Sequence, residues 1–416
     1  MKRRQFLRLS AGLSTAASLT PLDALYASVH QQVMTQKSGN TTFDVIVLGV
    51  GSMGSSTCYF LANRGHRVLG LEQFDIPHEL GSHLGQSRII RKAYAEHPDY
   101  VPLLVRAYHN WKALEEQTGS QVYFKTGLVY FGRPTDATIK GVRLSADKYR
   151  IEVKTLSEAE TARKYPQFTL PSGYERLEEP DAGFVTPERC ILLFTDQALR
   201  HGATILTKTK VSNWKRDGRG FIVSTNRGEF SCRKLVITAG PWAGKMIPGL
   251  SSRLRVTRQV LAWMKPKKWE PFALGQFPCW IVDQFYGFPV LPVGTLGGPI
   301  GLKLARHFPG VVSDPDALDR VPAAADEREL VDALNRFIPD GYAETHVMKV
   351  CMYTNTPDEN FILDYLPGFE KDVAIAAGFS GHGFKFSSVV GEIMADLAMN
   401  GSTALPIGFL NARRFG

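Results

Sequence analysis

Residues 44–72 read DVIVLGVGSMGSSTCYFLANRGHRVLGLE, a layout of strand, glycine turn, helix and strand. Val45, Ile46, Val47 and Leu48 form an unbroken apolar run, the mark of a parallel strand buried on both faces. Gly49, Gly51 and Gly54 follow in G-x-G-x-x-G spacing. The first glycine permits a tight turn, the second lets backbone approach a pyrophosphate, and the third lets the helix pack against the strand. Ser52 and Met53 open a helix whose free N–H groups carry about half a positive charge towards that phosphate. Asn63-Arg64-Gly65 ends the helix, Val68–Leu71 is the second strand, and Glu72 stands at its end, where a carboxylate accepts ribose hydroxyls. An acid there disfavours a 2′-phosphate, which leaves FAD or NAD as the expected dinucleotide.

The chain has 416 residues, 44% hydrophobic and 21% charged, enough for two lobes with sizeable cores. Its formal net charge of +9 is dispersed, with no basic stripe interleaved with aromatics, so nucleic-acid binding is not expected. Residues 1–28 have a basic start, a mildly apolar middle and small residues towards the end. Arg3-Arg4-Gln5-Phe6-Leu7 resembles the twin-arginine export motif, with Ala27 the best cleavage position, and an exported, periplasmic protein is expected. The middle is too short and polar to span a membrane. Residues 31–41 read as a polar linker. The five cysteines form neither a C-x-x-C pair nor a metal-ligand cluster, so no disulfide framework and no metal site is expected.

Further along, residues 87–94 read as helical, which would put Arg88 and Arg91 on one face near an anion. Residues 99–117 form an amphipathic helix, 122–131 a strand pair broken at Gly127, and 314–338 a polar helical stretch. Glu229–Ser231 and Leu235–Trp242 read as separate strand segments, and residues 373–399 repeat the strand, glycine loop and helix of the start. Nucleotide-type segments at both ends and in the middle, with strand-rich segments between, give an α/β (α+β) chain. A Rossmann-like cofactor domain and an interleaved antiparallel-sheet substrate domain are expected.

Six fragments in order carry a family resemblance: GVGSMG (49–54), GSHLGQSRIIRKAY (81–94), YVPL (100–103), GLKL (301–304), CMYTNTPDENF (351–361) and AAGFSGHGFKFS (376–387). From about residue 43 to 407 the chain resembles monomeric sarcosine oxidase and N-methyltryptophan oxidase, flavoenzymes of the glycine/D-amino-acid oxidase superfamily. The resemblance implies FAD, held by Gly49, Gly51, Ser52, Met53, Gly54, Glu72 and Arg88 and by the late loop Gly381, His382, Gly383, Phe384 and Lys385. It implies covalent attachment of that FAD through Cys351. It gives Arg91 and Lys385 the substrate carboxylate, Lys303 the reaction with dioxygen, and His307 and Tyr286 the amine side of the pocket. The expected domains are a signal peptide at 1–28, a linker at 29–42, a discontinuous FAD-binding domain at 43–121, 186–250 and 345–416, and a substrate domain at 122–185 and 251–344.

The implied activity is oxidation of a secondary amino acid, N-methylated or cyclic, to an imine with formation of hydrogen peroxide. Two alternatives stand beside it: a dehydrogenase passing electrons to a carrier, and a flavin-binding module without catalysis. The chain departs from the family where the usual GSHHGDTR becomes GSHLGQSR, with Leu84, Gln86 and Ser87 at the changed positions. Residues 292–299 also look longer than their family equivalent.

Overall fold

The computed structural model describes residues 21–36, 41–247, 249–292 and 296–415. The Arg3-Arg4 motif lies outside them.

The Thr42–Leu48 strand sits inside an eight-stranded sheet because its apolar run is paired on both sides. Val45 to Leu48 align in parallel with Val68 to Leu71 on one side and with Lys234 to Ile237 on the other. All four are essentially without solvent contact. The Ser52–Asn63 helix packs on the Pro187–Arg200 and Ser387–Asn400 helices. Its contact with the last helix is close: a Cβ on Gly391 would stand 2.4 Å from Ser56 Oγ, which donates at 2.6 Å to the Ser387 carbonyl.

Glu229–Ser231 and Leu235–Ile237 prove to be one strand, Gly228–Ile237. Its first half pairs antiparallel with Gly220–Thr225, its last turns parallel with Val373–Ala377. One strand thereby changes neighbour midway and ties the C-terminal segment to the first.

The second sheet has nine strands and is antiparallel apart from the pair Cys279–Val282 with Leu128–Gly132. Towards one end of it Arg255–Lys265 is flanked by Leu302–Arg306 and by the edge strand Glu344–Asn355. Residues 345–355, expected with the cofactor half, are therefore part of this sheet; they are partly exposed up to Lys349 and continuously buried from Val350 to Asn355. A small sheet of Arg88–Ile90, Gly183–Val185 and Tyr123–Lys125 joins the halves.

Three expectations are corrected. Residues 87–94 are not helical: Arg88–Ile90 is a strand, in keeping with the β-branched Ile89 and Ile90. Arg88 and Arg91 thus share no helix face. The helix expected over 314–338 is confined to Ala324–Phe337, and the residues before it are a turn held by Lys245, which bonds Asp314 and Asp316 at 2.6 Å each.

The third correction concerns the N-terminus. Leu22–Thr35 is a helix, so the expected linker from residue 29 begins inside it, as does Ala27. Val29 and Val33, four apart on one face, are 1% and 6% exposed in the main core. Gln32 Nε2 donates at 3.0 Å to Asp196, and the Gln36 amide bonds both the Ala203 carbonyl and the Ile205 N–H. A Val29→Ala/Val33→Ala double variant should lose roughly 1–3 kcal/mol of docking per truncated side chain. Limited proteolysis is the measurement: cleavage within residues 22–36 is expected in the variant and not in the parent.

Candidate active site

A single cavity of about 820 Å³ runs between the two large sheets, within the roughly 300–1,000 Å³ range of small-molecule sites. At one end its wall is Gly49, Gly51, Ser52, Met53 and Glu72; at the other it is Arg91, Glu96, Tyr286, His307, Tyr353 and Lys385. The late loop Gly381, His382, Gly383 and Phe384, together with Arg88, lies along it.

The glycine turn has the geometry its spacing predicts. Gly49 has φ +91°, and a Cβ there would lie 2.7 Å from the Thr238 carbonyl. Gly54 does not line the cavity; a Cβ on it would stand 1.8 Å from the Gly49 carbonyl, so its role is close packing of helix on turn. Gly51 faces open space, with His83 the nearest group at 3.7 Å from an added Cβ. It caps the helix without any side-chain hydrogen bond, so the first N–H groups remain available to an anion. Glu72 is buried, its carboxyl accepting from Val50 N at 2.9 Å and Phe74 N at 3.0 Å. Burial pushes its pKa up against those bonds. A carboxylate oxygen accepts more than one donor, so it can still meet a ribose hydroxyl. These features fit the dinucleotide half of FAD.

At the other end a charged cluster gathers. Arg91 Nη2 donates to both oxygens of Glu96, at 2.6 and 2.7 Å, while Arg91 Nη1 is buried without a hydrogen-bond partner. The guanidinium lies 4.9 Å from the Tyr94 ring centroid. Burial alone would raise the Glu96 pKa, but Arg91, then His382, Lys385 and His307, hold it down to about 2. Lys385 Nζ donates at 2.7 Å to the His382 carbonyl, and burial and then Arg91 depress its pKa to about 7. His382 is fixed between Tyr94 OH at 2.5 Å and the Glu359 carbonyl at 3.0 Å. His307 is 3.3 Å from Tyr353 OH and edge-on to Tyr286; burial drops its pKa to about 3, so its ring is neutral at pH 7.

Lys303 and Cys351 stand behind this wall, flanking the Arg255–Lys265 strand: Lys303 pairs with Trp263 and Cys351 with Gln259. Lys303 is 2% exposed and donates to the carbonyls of Gly85 and Ser87 and to Ser87 Oγ. Burial, then Arg88, pushes its pKa well below the usual lysine value. Cys351 is a free, buried thiol packed with Leu84, Leu261, Trp263 and Ala305, while Met352, Tyr353 and Thr354 beside it in sequence reach the cavity. Burial raises its pKa, and Arg88, Lys303 and Arg320 oppose that rise.

Of the sequence candidates, all reach the cavity wall except Gly54, Lys303 and Cys351, which support it from behind. Sequence reasoning missed Glu96, Tyr94 and Glu188. Glu188 accepts from the backbone N–H groups of Gly85 and Gln86 and anchors the 81–87 loop. The one signal for Glu188 was its place just after Pro187 in a first helical turn. Glu96 had none. No group of metal-ligating side chains and no helix long and apolar enough to cross a membrane occurs among the described residues.

Glycine turn, late loop and two-sheet cavity together form a site that fits a dinucleotide. The chain belongs to the FAD dependent oxidoreductase family (DAO), which it matches over residues 44–397. It is 38% identical to monomeric sarcosine oxidase of Streptomyces avermitilis, over 90% of this chain and 98% of that protein. It is 33% identical to N-methyl-L-tryptophan oxidase of Salmonella dublin, over 90% of this chain and 99% of that one. Among solved structures, NikD, an unusual amino acid oxidase essential for nikkomycin biosynthesis, superposes with a TM-score of 0.78 at 25% identity, covering 89% of this chain and 98% of its own.

Proposed function

We propose that the protein is an exported oxidase of secondary amino acids, N-methylated or cyclic, which converts the substrate C–N bond to an imine and yields hydrogen peroxide. The observation that carries this is Arg91 Nη1, a buried, unpartnered donor at a cavity wall shared with Lys385. An Arg fork and a Lys point charge suit a carboxylate. The names of the relatives support an amino acid substrate and an oxidase reaction.

Bound FAD supplies a two-electron acceptor. Arg91 and Lys385 would grip the carboxylate and fix which C–H faces the flavin. Glu96 holds the Arg91 fork in place, and neutral His307 with Tyr286 and Tyr353 lines the amine side without adding charge that would repel a cation. Lys303 would stabilise the anion formed as oxygen accepts an electron, and Cys351 would be the attachment point. The carboxylate substrate, dioxygen and the twin-arginine export machinery are the partners this reading requires.

Purified yellow protein should be mixed anaerobically with sarcosine, N-methyltryptophan, proline and pipecolate. Flavin bleaching, followed by peroxide on admitting air, is expected; no bleaching by any amine or amino acid overturns the reading. A bleached flavin reoxidised only by an artificial acceptor would select the dehydrogenase alternative, for which Leu84 in place of a polar loop residue is the motivation. Export is checked by fractionation, with an Arg3→Lys/Arg4→Lys variant expected to stay in the cytoplasm.

The Lys385 environment gives a pH prediction. Its pKa is lowered, so the charge that attracts a carboxylate is present below about pH 7 and is lost as pH rises through that value. A bound anion shifts the loss upwards. Acetate, which lacks an amine to titrate, should bind about 10–100-fold more weakly once Lys385 is neutral, the worth of one charge-assisted hydrogen bond. Flavin absorbance perturbation measures this, and a Lys385→Met variant should show no such pH dependence.

A further inference from the structure

Gln86 is one of the departures from the family loop, and nothing in the reaction just described uses it. It has φ +65°, and Ser87 N donates across it to the Gly85 carbonyl at 2.7 Å. That is a γ-turn of the rare positive-φ kind, strained for any residue with a Cβ. The turn brings the carbonyls of residues 85 and 87 to bear on one atom, Lys303 Nζ, which donates to both and to Ser87 Oγ. Residues 85–87 are thus a collar around the lysine ammonium.

Gln86 is the residue through which the collar is held. Its backbone N–H is shared by both Glu188 oxygens at 3.1 Å each. Its side-chain carbonyl accepts from Trp263 Nε1 at 2.9 Å, and its amide nitrogen donates to the Gly297 carbonyl. The two partners fix the amide orientation: an indole N–H needs an acceptor and a backbone carbonyl needs a donor. Trp263 is the cross-strand partner of Lys303, whose ammonium lies 5.6 Å from its ring. On the other side two glycines are clasped: a Cβ on Gly298 would stand 2.9 Å from Gln86 Cδ, and one on Gly297 2.5 Å from Leu22 of the N-terminal helix.

We propose that Gln86 is a positioning residue that holds the collar around Lys303 and latches it to the loop at Gly297–Gly298, with the Leu22–Thr35 helix as outer brace. An amide does both tasks, whereas a carboxylate at this position keeps the Trp263 acceptor and loses the Gly297 donor. The oxidative role given to Lys303 rests on the proposed function; the latch does not.

The test uses the FAD-loaded, full-length chain and Gln86→Ala, Gln86→Glu and Trp263→Phe variants. Hydrogen–deuterium exchange of residues 296–301 reads the latch, and stopped-flow reduction by amine and reoxidation by oxygen are timed separately. Gln86→Glu should raise exchange about tenfold, as a local opening free energy falls, and leave reoxidation close to the parent. Gln86→Ala should raise exchange alike and slow reoxidation about tenfold, with reduction at saturating substrate nearly unchanged. Trp263→Phe should slow reoxidation and leave exchange of residues 296–301 slow. Parent-like exchange and reoxidation in Gln86→Ala overturn the proposal; if that variant does not fold, parent-like exchange in Gln86→Glu overturns it. A parent enzyme that no amine reduces sinks the proposed function instead, and the exchange arm still decides the latch.

Discussion

An Arg91→Ala enzyme should lose about 10²–10⁴-fold in kcat/KM for sarcosine-type substrates, equivalent to roughly 3–5 kcal/mol. Two effects add. The substrate carboxylate loses the charge-assisted hydrogen bond that Arg91 Nη1 offers, and Glu96 loses the cation that holds its pKa down to about 2. The Glu96 side chain keeps 23% of its surface open, so solvent screens part of the second effect. What remains is a carboxylate facing the incoming carboxylate. An Arg91→Ala/Glu96→Gln double variant should therefore recover part of the loss, as expected for coupled neighbours. Arg91→Lys keeps the charge without the fork and should fall between. Anaerobic flavin reduction against substrate concentration measures all three. An amine without a carboxylate should show little difference between parent and Arg91→Ala, and equal losses on both substrates would remove Arg91 from carboxylate recognition.

The second large effect is all-or-none. Parent protein precipitated with trichloroacetic acid should keep its yellow colour, and a Cys351→Ala variant should release it to the supernatant. The described cysteines are all free and buried, but they differ in surroundings. Cys58 has only burial acting on its pKa, which rises to about 12, whereas Cys351 has Arg88, Lys303 and Arg320 opposing the same rise. Cations near a thiol favour the thiolate that such an attachment needs. Cys279, bonded to Thr126 at 3.4 Å on a strand beyond Lys303, is the natural control, and Cys279→Ala should keep its colour. Arg88→Ala should slow attachment in reconstituted apoprotein, read as colour retained after acid against time. Colour retained by Cys351→Ala would show that another residue is the attachment point.

What could be read in advance followed from how local the determinant was. Gly49, Gly51 and Gly54 each answer a constraint within a few residues, a turn, an open approach and a helix contact, so the spacing alone stated the geometry. The 373–399 segment was legible for the same reason. The Arg88–Ile90 strand was not, because three residues show no period that separates strand from helix, and its partner Gly183–Val185 lies far along the chain. The N-terminal helix was hidden by its position: Leu22, Leu25, Val29 and Val33 recur at helical spacing but follow directly on a stretch that reads as an export signal. Glu96 belongs to a third kind. An acid in a loop is ordinary, and it becomes part of the site only because the fold folds it back on Arg91, with Lys385 and His382 arriving from 289 and 286 residues further on.

The hydrogen bond from Ser56 to the Ser387 carbonyl spans 331 positions, and the cofactor end of the cavity is walled by both Gly49–Met53 and Gly381–Lys385. A ribosome delivers the first of these walls long before the second. The nascent chain therefore emerges with its glycine turn made and half its cradle missing, and the Val373–Ala377 strand must still be laid beside Gly228–Ile237 before the cradle closes. Flavin loading is consequently an event of the finished polypeptide. A chain truncated before residue 373 should translate to length and stay colourless however much flavin is supplied.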